Sequence, residues 1–324
     1  MADLSTTYAG LNLENPVIVS SSGLVDSIEK IKKIAEYNPG AVVLKSLFEE
    51  QINMDSGRML DDYAYPEAAD YIRNYSRSHT VGDYLSLIEN ARRSVKMPVI
   101  ASINCITSSD WVEFARQIES AGASALELNL FILPVDGEEP ERIEQSYLSI
   151  IRRVKEKTTL PLIVKISPFF SNLIYMVHQF HALGVQGVVM FNRLYEPDID
   201  VEEMNIVSSE VFSSPTDLRQ TLRWVSLVAD KFRKIDISAS TGIHDPLSAV
   251  KVLLAGATTV QVCSALYKHG PDYLNTMIGG IGEWMDSQEL KSIDDFRGKL
   301  SYRMYKDPRT WERSQFMKYY SSRT

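Results

Sequence analysis

The segment Leu160-Pro161-Leu162-Ile163-Val164-Lys165-Ile166 decides the fold. An aliphatic, β-branched run bounded by a proline reads as a strand buried on both faces, and a single lysine near its end interrupts the apolar character. The same grammar recurs upstream in Val17-Ile18-Val19 after Asn15-Pro16, in Ala41-Val42-Val43-Leu44-Lys45-Ser46, in Pro98-Val99-Ile100-Ala101-Ser102-Ile103-Asn104 and in Ala125-Leu126-Glu127-Leu128-Asn129-Leu130. Downstream it returns in Gly187-Val188-Val189-Met190-Phe191-Asn192, Ile235-Asp236-Ile237-Ser238-Ala239-Ser240 and Thr258-Thr259-Val260-Gln261-Val262.

Between these runs the apolar spacing changes from two to three and four, the period of a helix covering a core. Ile31, Ile34 and Ala35 form one such stripe behind Ser27, a candidate cap; Trp111, Phe114, Ala115 and Ile118 form another. Helices are expected over roughly 142–157 and 171–182, along Leu218, Leu222, Val225, Ala229 and Phe232 after Pro215-Thr216-Asp217, and over Leu247–Leu254 behind Asp245-Pro246, a cap followed by a first-turn proline. Strands and helices in strict alternation predict an α/β chain of the (β/α)8 TIM barrel class with a C-terminal helical extension. An open doubly wound sheet is the alternative, but Ser20-Ser21-Ser22-Gly23 after the first strand lacks the three-glycine phosphate fingerprint of that class.

No linker composition divides the chain, so residues 1–324 read as one domain. Two stretches break the alternation: an excursion at about 49–75, with a helix beginning near Pro66, and a lid or hairpin at about 194–213 that includes Ile206-Val207-Ser208. A helical tail is expected over about 285–324, where Trp311, Phe316, Tyr319 and Tyr320 suit either packing on the barrel base or a subunit contact.

Composition narrows the partners. The formal charge of -8 opposes a nucleic-acid binder, which needs a basic field to displace counterions. Two cysteines, Cys105 and Cys263, are too few for a disulfide framework, and no apolar run reaches the length of a membrane span. With no secretory signal visible at the start, cytoplasmic location is the expectation. The five histidines fall in no metalloprotease spacing, so no metal is expected; His244, after strand seven near the phosphate end, could assist binding but reads first as a solvated loop residue.

In a closed barrel the strand C-termini face the active-site mouth. Those ends carry Ser22, Lys45, Asn104, Asn129, Lys165, Asn192, Thr241 and Ser264, polar at every position. Lys45 and Lys165 each end an apolar run, and a buried ammonium needs an anionic or polar partner; Glu127 is the bland choice, a bound ligand the functional one. Asn104, Asn129 and Asn192 offer donors and acceptors to a planar polar ring. Ser240-Thr241-Gly242 and Cys263-Ser264 supply small side chains and backbone donors after strands seven and eight, where many barrels hold phosphate.

Taken together, Asn15-Pro16-Val17, Ser22-Gly23, Leu44-Lys45-Ser46, Ala101-Ser102-Ile103-Asn104-Cys105, Glu127-Leu128-Asn129-Leu130, Val164-Lys165, Phe191-Asn192, Ser240-Thr241-Gly242-Ile243 and Gln261-Val262-Cys263-Ser264 resemble the dihydroorotate dehydrogenase family, its soluble class 1 above all, and also the flavin barrel of dihydropyrimidine dehydrogenase. The resemblance implies bound FMN. Ser22 and Gly23 would approach the flavin and Lys45 with Ser46 would lie beside its ring; Asn104 would be a further cofactor-binding residue, Asn129 would hydrogen-bond near the ring or substrate, and Lys165 would face the N1/C2 carbonyl edge, where a cation stabilises the reduced state. Thr241, Gly242, Cys263 and Ser264 would surround the phosphate, with Asn192 on the substrate side. Lys45, Asn129, Lys165 and Asn192 are the catalytic candidates.

Two departures qualify that likeness. Relatives follow the Asn129-Leu130 motif with serine, a cysteine or serine base, then Pro-Asn, whereas this chain has Phe131, Ile132, Leu133 and Pro134, none able to move a proton. The orotate-recognition loop is replaced by Asp61-Asp62-Tyr63-Ala64-Tyr65-Pro66. Tyr63, Tyr65 and Asp136 remain as proton donors, each reading first as a solvent-side residue. The expectation is an FMN-dependent oxidoreductase acting on the CH-CH bond of a small molecule, a dihydropyrimidine or a related compound, with an external electron donor or acceptor and a homodimer as the candidate assembly. A flavin-binding electron-transfer protein and a non-flavin phosphate-binding barrel enzyme are the alternatives.

Overall fold

The computed structural model describes residues 2–48, 81–105, 113–133, 135, 137–231 and 234–314. An antiparallel hairpin, β1 (Thr6–Tyr8) and β2 (Leu11–Leu13), precedes the barrel. Eight strands then close a parallel ring: β3 (Val17–Val19), β4 (Ala41–Val43), β6 (Val99–Cys105), β7 (Ala125–Leu130), β8 (Leu162–Ile166), β9 (Gly187–Met190), β12 (Asp236–Ser240) and β13 (Thr259–Val262). Closure is explicit, because Val260 pairs with Val17 and Val42 pairs with Val99. The short β5 (Leu47–Phe48) continues β4 along β6, and β10 (Pro197–Asp200) with β11 (Asn205–Ser208) forms a hairpin between β9 and β12.

Each crossover carries a helix whose apolar stripe covers the ring: α1 (Ile28–Ala35), α2 (Val81–Ser94), α3 (Phe114–Ala121), α4 (Pro140–Lys155), α5 (Leu173–Ala182), α6 (Leu218–Lys231) and α7 (Pro246–Ala255). Ile31 and Ile34 of α1, and Ile118 of α3, are buried as the spacing requires. Burying each such side chain stabilises the fold by about 1.5–3 kcal/mol. Asp245 caps α7 by accepting from the Ser248 amide at 2.7 Å. Ser27 occupies the corresponding position of α1 but makes no side-chain cap bond. After β13 come α8 (Ser264–His269), α9 (Tyr273–Ser287), a 3-10 turn at Ile293–Asp295 and α10 (Arg309–Glu312). The expected excursion at 49–75, Trp111, Asp136, Phe232 and the last tail aromatics lie outside the described residues.

The two ends of the ring differ. At its N-terminal end Tyr8, fully buried, is packed with Leu13, Ile18, Ala41, Val43, Ile100, Ala125, Ile163 and Val189. A Cβ at Gly187 would stand 3.0 Å from the Tyr8 hydroxyl, so small inward residues make room for the ring. This plug closes the ring interior at its N-terminal end.

Candidate active site

Side-chain alternation along the strands points Glu127 and Asn129, Lys165, Gln261, and Ser102 and Asn104 into the ring. Their neighbours in register, Asn104 with Asn129 and Asn129 with Lys165, bring these groups side by side near the mouth. Above them opens a cavity of about 580 Å³, within the range of small-molecule and cofactor sites.

Every strand-end residue singled out from sequence lines this cavity. Ser22, Gly23, Lys45 and Ser46 form one wall, Asn104, Asn129 and Asn192 another, Lys165 the floor, and Thr241, Gly242, Cys263 and Ser264 the far end. The Asn192 amide donates to the Asn129 carbonyl oxygen at 3.0 Å, which fixes the orientation of both side chains.

The floor is a hydrogen-bonded lattice. Lys165 Nζ donates to Ser20 Oγ at 3.1 Å and to Gln261 Oε1 at 3.2 Å, and its ammonium lies 3.9 Å from Glu127 Oε1. Gln261 Nε2 donates in turn to Glu127 Oε2 at 2.7 Å. The bland expectation for Lys165, a carboxylate partner at Glu127, is thus part of the geometry, yet the lysine also borders the cavity. A second chain of hydroxyls, Ser21 to Ser46 at 3.1 Å and Ser46 to Ser102 at 2.8 Å, holds the wall. Tyr84 of α2 locks its base, donating to the Ser102 carbonyl and accepting from the Ser102 amide.

At the far end, Thr241 and Gly242 have φ of 75° and 84°. Glycine is required at the second position, because a Cβ there would lie 2.2 Å from the Leu218 amide nitrogen. The loop before α6 reaches into the same place. Ser213 donates through its amide to Ser264 Oγ at 3.0 Å, its hydroxyl lies 3.0 Å from His244 Nε2, and Lys268 Nζ donates to its carbonyl. His244 is 8% exposed, which corrects its reading as a solvated loop residue: the loop folds inward because Tyr273 and Ser248 bind its backbone. Burial, then Lys268, pushes the imidazole below its ordinary 6.5.

Sequence reasoning missed Ser213, Gln261, Arg193 and Tyr267 as cavity residues. Tyr267 stacks near Phe212, ring centroids 5.3 Å apart, and a Cβ at Gly23 would approach its hydroxyl to 3.0 Å. Among the cavity-lining side chains, Lys45 is held below its ordinary range by desolvation, with Asp26 opposing the effect. Burial pushes the Cys263 thiol up, against the influence of Ser22 and Lys165, so it is a neutral group and not a thiolate. Ile132, at the place of the expected base, packs against the core while its amide donates to Tyr147 Oη at 2.9 Å.

The sequence profile of dihydroorotate dehydrogenases matches residues 3–285. The chain belongs to the dihydroorotate dehydrogenase family. It is 30% identical over 310 residues to the catalytic subunit of dihydroorotate dehydrogenase B (NAD(+)) from Thermoplasma acidophilum, covering 92% of this chain and 99% of the relative. It is 25% identical over 319 residues to the NAD-dependent dihydropyrimidine dehydrogenase subunit PreA of Escherichia coli K12, covering 91% of this chain and 76% of that one. The ligand-free dihydroorotate dehydrogenase of Eimeria tenella superposes with a TM-score of 0.70 at 17% identity, over 91% of each chain, and shares the family's barrel. No helix among the described residues is long and apolar enough to cross a membrane.

Proposed function

We propose that this family member binds FMN at the barrel mouth and oxidises or reduces the CH-CH bond of a small molecule of the dihydropyrimidine or a related class. The observation that carries the reading is the cavity itself: a buried lysine on the floor, three amides on one wall and a cluster of small polar groups at the far end. The residues fit the group. The volume suits a ring system with a phosphorylated tail, and Gly23 leaves clearance beneath Tyr267 that any Cβ would close.

In this reading Ser213, Thr241, Gly242, His244, Cys263, Ser264 and Lys268 hold the phosphate. Ser22, Gly23, Lys45 and Ser46 flank the ring, with Asn104 and Asn129 at its polar edge and Asn192 toward the substrate. FMN, when bound, supplies a two-electron acceptor. Lys165 would lie at the ring edge and stabilise negative charge there, with Ser20 and Gln261, which accept from its ammonium, holding it in place. With Ile132 packed against the core, proton exchange with substrate falls in this reading to Lys45, whose ammonium is disfavoured by desolvation.

Three readouts test this. The purified protein is expected to show flavin absorbance near ~450 nm; colourless protein that FMN cannot reconstitute favours the non-flavin barrel enzyme. Anaerobic bleaching by dihydropyrimidines is expected, with dihydroorotate slower. The core-facing Ile132 also supports a second reading, a flavin-binding electron-transfer protein served by an external donor or acceptor; a flavin that no dihydropyrimidine reduces, and a chemical reductant does, selects it.

A further inference from the structure

Two aromatic rings stand at the far end of the cavity, beside the polar groups that would hold phosphate. Phe212 and Tyr267 both line it. They come from separate elements: Phe212 from the connection between β11 and α6, Tyr267 from α8, one turn beyond Ser264. Their ring centroids lie 5.3 Å apart at an interplanar angle of 33°, within the range where aromatic pairs attract beyond the area they bury. Lys268 Nζ stands 6.0 Å from the Phe212 centroid and donates to the Ser213 carbonyl at 3.2 Å. On the opposite side the Tyr267 hydroxyl lies against Gly23. The ring pair therefore joins the loop after β3 to the connection before α6.

The position of Phe212 is set by polar contacts on both sides of it. Its neighbour Val211 is 69% exposed, so apolar burial does not fix the chain there. The Phe212 amide donates to Glu210 Oε1 at 3.3 Å, and the Glu210 carbonyl accepts from Arg193 Nη2 at 2.8 Å. Arg193 is in turn held between Glu196 at 3.4 Å and Asp217 at 3.7 Å. One residue after Phe212, the Ser213 amide and hydroxyl both donate to Ser264 Oγ. Arg193 thus braces the ring from upstream, and Ser264 from downstream. Tyr267 is 43% exposed, so the pair is a surface contact at the lip of a polar cavity, where it adds little to a core.

We infer that Phe212 and Tyr267 form a clasp that retains the cofactor at its phosphate end, and that Arg193 is the positioning residue that presents Phe212. The inference rests on the FMN reading of the cavity. A phosphate leaving Ser213, Ser264 and Lys268 passes the two rings, so the clasp acts on the dissociation rate, where most differences among variants of one site appear. Arg193 acts through the Glu210 carbonyl and the turn that follows it, and its effect needs the Phe212 ring to be present.

Release is measured as the return of free-flavin fluorescence after dilution of protein loaded with FMN or with riboflavin, which lacks the phosphate. Phe212→Ala and Tyr267→Ala are expected to release FMN about tenfold faster, with riboflavin release within about twofold of the unsubstituted protein's. Phe212→Tyr, which keeps the ring, should release FMN at the unsubstituted rate. Arg193→Met should also speed FMN release, and adding it to Phe212→Ala should bring no further change. Unchanged FMN release in both alanine variants overturns the clasp. Equal acceleration of FMN and riboflavin overturns its action at the phosphate, and additive effects of Arg193→Met and Phe212→Ala overturn the positioning role. Phe212→Leu gives the same readout if the alanine variant does not fold. An unsubstituted protein that binds neither flavin sinks the proposed function and the clasp with it, whereas variants that hold FMN as firmly as the unsubstituted protein sink the clasp alone.

Discussion

Lys165 and Glu127 are an enclosed pair, and removing one partner strands the other. Lys165→Met is expected to cost about 3–5 kcal/mol of stability, read as a fall in denaturant midpoint, because Glu127 is left with an uncompensated charge at 0% exposure. Adding Glu127→Gln to that variant should recover most of the loss, as a double-mutant cycle would show. His244 gives a pH signature. Its folded-state ionisation lies below the ordinary 6.5, so its contribution is complete above that value and is lost as pH falls through the lowered one. His244→Gln should flatten this acid limb in melts taken across the range. Both lysines were legible in the sequence because each charge ends an apolar run. Ser213 and Gln261 were not: the first comes from a connection with no periodic signal, and the second sits inside a strand where a lone amide looks incidental.

At the scale of elements, the alternation of periods located all eight strands, while their ends followed local hydrogen bonding. The second run, apolar through Leu44, stops as a strand at Val43. Lys45 turns its amide to the Val25 carbonyl instead, which swings its side chain to the cavity. The sixth run stops at Met190, although Asn192 still donates to Ile166. At the loop after β12, Gly242→Ala is expected to lower the melting temperature by several degrees and to weaken the proposed FMN binding, because its Cβ would strike the first turn of α6 at a left-handed φ. The β10–β11 hairpin matches the lid or hairpin expected at about 194–213, and its Ile199 and Ile206 both stand 67% exposed. Replacing both by threonine should change stability by less than about 0.5 kcal/mol each and raise solubility, measured by melts and precipitation.

For the whole molecule, closing the ring at its base depends on the N-terminal hairpin. Tyr8→Ala is expected to cost about 3–5 kcal/mol, comparable to deleting a buried aromatic from any tight core, and to loosen hydrogen exchange across β3, β4 and β9. The sequence did not announce this plug, because Thr6-Thr7-Tyr8 is short and polar and its partner surface exists only after closure. The pairing of Val17 with Val260 has a bearing on biosynthesis. A ribosome adds roughly 5–20 residues each second, so the first barrel strand leaves the exit tunnel long before its last neighbour is made. Nascent chains stalled ahead of Thr259 should stay open to protease and recruit chaperones, and release of the final strand should end both at once.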